Sequence, residues 1–129
     1  MLRAIGSEFD PDSFLAASTL QGASVFRKGD PLGPGARSAS GFSLSVSAAG
    51  VDRLADQIQD TIAFLDLHED EIRRLAAFPG VEQVFLDFGI PWQPLPAQSE
   101  ILPADLLWKL GALDLDLVLT HHLAAERES

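Results

Sequence analysis

Phe42, Leu44 and Val46 alternate with Ser43, Ser45 and Ser47. Successive side chains of a strand point to opposite faces, so this run buries its apolar residues only as a strand with one wet face. Shortly afterwards Val51, Leu54, Ala55, Ile58, Ile62 and Leu65 recur every three or four residues. That spacing is the buried stripe of a helix from Val51 to about Leu67. A half-wet strand beside an amphipathic helix confines the chain to a sheet with helices on one face.

The remaining elements follow from local signals. Leu2 to Ile5 reads as a short first strand. Asp10-Pro11-Asp12 is a helix start, with Asp10 as cap, Pro11 at the first helical position and Asp12 at the positive dipole end. Phe9 before the cap and Phe14 inside the helix make a hydrophobic staple, and the helix is expected from Pro11 to about Ser18. Ser24 to Lys28 reads as a strand running into a Gly/Pro-rich loop, Gly29 to Gly35. A second short helix carries Glu69, Asp70 and Glu71 at its start and Arg73 and Arg74 near its end, ahead of Pro79-Gly80. Val84, Leu86 and Phe88 alternate with Phe85 and Asp87, an inner strand, followed by a proline-rich loop from Gly89 to Pro96. Pro103 opens a helix with Leu106, Leu107 and Leu110 inward, Trp108 half-buried and Gly111 as its stop. Leu115, Leu117 and Leu119 form the last strand.

The order β–α–β–β–α–(α)–β–α–β predicts an α+β fold, a ferredoxin-like or elaborated sandwich with a mainly antiparallel sheet and helices on one face. At 129 residues with 47% hydrophobic content, one domain spanning 1–129 accounts for the chain, with a frayed tail from about residue 124. There is no cysteine, which removes disulfides, thiol nucleophiles and Cys-based metal sites. No apolar run reaches the ~18 residues of a membrane span, and the first residues lack the apolar stretch of a secretory signal. A cytoplasmic protein is therefore expected.

Five segments taken in order carry a resemblance. They are Gly6-Ser7-Glu8-Phe9-Asp10-Pro11-Asp12, Phe26-Arg27-Lys28-Gly29-Asp30, Ser40-Gly41-Phe42-Ser43-Leu44, Ile101-Leu102-Pro103-Ala104-Asp105-Leu106-Leu107 and Leu113-Asp114-Leu115-Asp116-Leu117. Together they resemble small bacterial proteins of the family known as domain of unknown function 4279. Phe42 stands where that pattern favours Trp, and a phenylalanine still fills an inward aromatic site. The resemblance implies a fold and no activity.

Charge narrows the partners. The net charge is −10, and residues 1–50 carry four acids and four bases, so the whole excess falls after residue 50. Such a field disfavours nucleic acid and anionic membranes and favours a basic protein. Asp52, Asp56 and Asp60 recur every four residues along the main helix, either as a ridge that docks on a basic surface or as a solvated face. Trp92 in the proline-rich loop is an interface anchor if exposed and core if packed. Arg27-Lys28 is a basic pair at the mouth of the hairpin loop, either an anion site or a charge pair that keeps a sheet edge from pairing.

Catalytic constellations are not legible. Gly-x-Ser-x-Gly, His-Glu-x-x-His and a glycine loop followed by Lys-Ser/Thr are all missing from the sequence, and there is no tyrosine. His68 with Glu69 and the pair His121-His122 lack metal-ligand spacing, so no metal, cofactor or catalytic residue is assigned. The expected function is a non-enzymatic protein-binding module, such as an immunity- or antitoxin-type inhibitor of a basic partner. The competing reading is a small-ligand or anion-binding regulatory domain using the hairpin-loop cleft beside Arg27 and Lys28. Monomer and homodimer both remain open.

Overall fold

A computed structural model describes residues 1–123. The expected frayed tail from 124 lies outside them. In chain order the elements are β1 (Leu2–Gly6), α1 (Pro11–Ala16), β2 (Ser24–Phe26), β3 (Pro31–Leu32), β4 (Gly35–Ala36), β5 (Ser40–Leu44), α2 (Leu54–Leu67), α3 (Glu69–Ala76), β6 (Gln83–Pro91), α4 (Ala104–Ala112) and β7 (Asp116–His122).

The main sheet has the order β2-β5-β1-β6-β7, antiparallel throughout except for the parallel pair β6–β7. β1 and β2 flank β5, and β5 and β6 flank β1. These are the two interleaved split βαβ units of the ferredoxin-like sandwich. The unit α4–β7 then extends that sheet by one parallel strand. The fold is thus α+β with a mainly antiparallel sheet, as the sequence predicts.

Register decides which side chains meet the helices. Ala4 opposes Phe42 and Val84, and Leu2 opposes Leu44 and Leu86. All six are buried and share one core with Phe14 of α1, Ile58 and Leu65 of α2, Ile72 and Leu75 of α3, and Leu106 and Leu110 of α4. The other face carries Arg3, Ile5, Phe85, Asp87 and Val118, all only half-buried.

Four phenylalanines close one end of the core. Phe14 stacks on Phe42 at 5.9 Å and 14°, and Phe78 meets Phe14 edge-on at 5.4 Å. Phe9 joins through Phe42 and Phe78, at 6.3 and 5.9 Å. The staple residues are therefore tied together by rings from β5 and from the turn after α3 as well. Asp10 caps α1, accepting from the Ser13 amide at 3.3 Å and the Ser13 hydroxyl at 2.9 Å. These bonds favour the ionised carboxyl and lower its pKa.

Several expectations are corrected. α1 ends at Ala16 instead of Ser18, because the Ala17 and Ser18 amides turn back to Phe14 and Leu15. The Gly/Pro-rich loop contains the two-residue strands β3 and β4, paired as a miniature hairpin. β6 runs on to Pro91, past the expected loop boundary at Gly89, because β7 pairs with it as far as Pro91–His122.

The stop of α4 is not Gly111. The Leu115 amide bonds the Leu110 carbonyl at 2.9 Å and the Asp114 amide bonds Gly111 at 3.2 Å, with Asp114 at φ 59°. This is a Schellman ending with aspartate in the left-handed position that glycine usually takes. Leu110 and Leu115 are both buried beside it. Leu107 is exposed, and Trp108 is 73% exposed instead of half-buried. With Leu106 and Leu110 fixed inward, the helical period turns Trp108 to the opposite side.

Candidate functional site

α2 begins at Leu54, so Val51 and Asp52 lie in the turn before it and Asp52 is not part of a helical ridge. Two bonds fix that turn. Gln57, itself buried, donates to the Gly50 carbonyl at 2.8 Å and to the Gly89 carbonyl at 2.9 Å. The carboxamide thereby gives the Gly89 carbonyl of β6 a donor from α2. The two remaining acids of the ridge, and Asp66 near the end of α2, are engaged. Asp56 meets Arg53 at 2.6 Å, Asp60 accepts from the Ser47 hydroxyl at 2.6 Å, and Asp66 pairs with Lys109 of α4. The exposed ion pairs contribute at most about 1 kcal/mol each, and Arg53 and Lys109 offset the charge of Asp56 and Asp66, while Asp60, bonded to a neutral hydroxyl, keeps its own.

Arg27 is engaged by carboxylates of its own chain, and Lys28 is held through its backbone. Arg27 holds Asp12 of α1 through Nε at 3.1 Å and Nη2 at 2.8 Å, and its amide donates to Asp30 at 2.8 Å. The Lys28 amide donates to Ser40 at 2.7 Å, and Arg37 lies 4.1 Å over the Phe26 ring. The hairpin loop thus closes on itself, with the Arg37 guanidinium over the Phe26 ring of β2.

A cleft of about 260 Å³ opens elsewhere, beyond the start of β1, lined by Arg3, Ser45, Gln57, Thr61, Asp87 and His122 among others. Asp87 accepts from the Thr120 hydroxyl at 2.6 Å and lies 3.7 Å from Arg3 Nη2. Arg3 Nε is buried with no hydrogen-bond acceptor. Sequence reasoning missed this cleft because its members come from five segments and none forms a motif. Among the described residues no three His, Asp or Glu side chains gather as metal ligands would, and no helix is long and apolar enough to cross a membrane.

Exposed apolar side chains gather late in the described chain. Trp92 is 48% exposed, and its amide donates to the His122 carbonyl at 2.9 Å, which seats it beside the end of β7. Leu95 and Ile101 in the segment after β6, Leu107 and Trp108 on α4, and Leu119 and Leu123 at β7 are exposed as well. Only Trp92 of this set is marked as a candidate by the sequence. The exposed leucines escape notice because they occur in runs such as Leu106-Leu107 and Leu117-Val118-Leu119, where burial of a neighbour hides exposure of the next. Searches of protein-family models, curated proteins and solved structures return no match to this chain.

Proposed function

We propose that the chain is a non-enzymatic protein-binding module whose contact surface is the side formed by α4, β7 and the segment from Trp92 to Pro103. One observation carries this. Of the ten large apolar side chains exposed among the described residues, seven fall between Trp92 and Leu123. Concentrated apolar exposure of this kind marks interaction surfaces, and tryptophan is the commonest anchor in them. Neutralising a basic partner is the narrower reading, and the acids of α2 that flank α4 would form its rim. The test places a photo-crosslinking side chain at position 108, and separately at position 56, in living cells. Crosslinks from 108 and none from 56 are expected; the reverse pattern would transfer the contact to α2.

The buried, unpaired Arg3 Nε favours a second reading, a small ligand with a carboxylate or similar anion in the cleft beside Arg3 and Asp87. That reading displaces the ligand from Arg27 and Lys28. Isothermal titration with small carboxylates against the protein and Arg3→Met tests it, and equal heats from both would remove it.

A further inference from the structure

The two edges of the main sheet are built differently. β2 has three residues and runs directly into Arg27 and Lys28. Short length and adjacent charge are the usual means of keeping an edge from pairing. β7 has seven residues, Asp116-Leu117-Val118-Leu119-Thr120-His121-His122, with no lysine, no proline and an unbroken register against β6. Long unprotected edges invite another strand.

Backbone direction fixes which groups are available. The His122 carbonyl points inward, since it accepts from Trp92 at the end of β6. Peptide groups alternate along a strand, so Thr120 and Val118 also point to β6, while Leu117, Leu119 and His121 turn their N–H and C=O to the outer edge, where no strand pairs with β7 among the described residues. Leu119 is exposed on the helix side of the sheet, and Leu107 is exposed on the flank of α4 away from Lys109, which pairs with Asp66 of α2.

Resting on the reading of this side as the contact surface, we infer that its occupant is a second copy of the chain, added antiparallel along β7. The edge is self-complementary. With Leu119 facing Leu119 of the second copy, Leu117 faces His121 and Val118 faces Thr120. Asp116 then faces His122, so the acidic start of each strand meets the imidazole-bearing end of the other. Leu119 of both copies falls at the two-fold axis, as an isologous interface requires. The product is one continuous ten-strand sheet with both exposed edges of the β2 type.

Sedimentation of the full chain across a wide concentration range tests this. A wild-type dimer is expected. Leu119→Lys, which puts a charge on the edge without touching the β6–β7 ladder, is expected to weaken association roughly tenfold or more at an unchanged melting temperature. Leu107→Glu on α4 is the second variant should Leu119→Lys melt lower. Hydrogen exchange on the dimer is expected to protect the Leu117, Leu119 and His121 amides in a concentration-dependent way. A wild type that stays monomeric throughout, or a dimer untouched by both variants, overturns the second copy as occupant. If that monomer still crosslinks another protein from position 108, the binding-module reading survives; if position 108 crosslinks nothing, both fall.

Discussion

Phe42→Ala tests the packing argument at its centre. Phe42 is fully buried, stacks on Phe14 and touches Phe9, so truncation opens a void between α1 and β5 that flanking rings cannot fill without leaving their own contacts. A buried phenylalanine takes about 200 Å² out of water, worth about 5 kcal/mol at about 25 cal/mol per Å². A compact unfolded chain lowers that by roughly 10–40%. The retained Cβ lowers it further, and the residual cavity adds to it. The expected loss is about 3–5 kcal/mol, measured by urea unfolding followed through tryptophan fluorescence and circular dichroism, with an unchanged slope. Phe26→Ala is the control, because Phe26 lies partly exposed on β2 under Arg37, and about 1 kcal/mol is expected. Equal losses from the two variants would refute the assignment of the helix-covered face.

The remaining predictions rest on single contacts. Asp10→Ala removes the α1 cap and is expected to cost about 0.5–2 kcal/mol in thermal or urea unfolding. Gln57→Leu leaves the Gly50 and Gly89 carbonyls without their donor; Gly50 is exposed and Gly89 half-buried, so water replaces part of what is lost and the expected cost is about 0.5–1.5 kcal/mol per bond. Asp114→Gly relieves the left-handed aspartate after α4 and is expected to stabilise by about 0.5–1 kcal/mol. Glu71 has its pKa lowered below 4.5, chiefly by the hydrogen bond from Arg74. Its native contacts favour the charged form, so its contribution is complete above about pH 4.5 and is lost as pH falls through the lowered native value. Arg74→Ala should therefore flatten the acid side of the stability–pH profile as well as lower stability at neutral pH; an unchanged acid slope would exclude the Glu71 pair as its source.

Local order was legible because it is written in short stretches of chain. Asp10-Pro11 starts α1 wherever the helix docks, since the cap bond reaches only three residues. Alternation at Phe42 and Leu44 and the stripe at Ile58 and Leu65 fix their buried faces, and the element order alone points to an α+β sandwich. Tertiary structure decided the rest, wherever a property depends on a partner distant in sequence. β6 reaches Pro91 only because β7 lies beside it. The aspartates look like a continuous ridge until Arg53 and Ser47 are brought to Asp56 and Asp60, and until Gln57 fixes the turn that holds Asp52 outside the helix. Trp108 and Leu107 carry the same apolar signal as Leu106 and Leu110. Which of them meets the core and which meets water follows from the rotation of α4 as it docks between α2 and β7, and hydrophobicity by itself holds no record of that rotation.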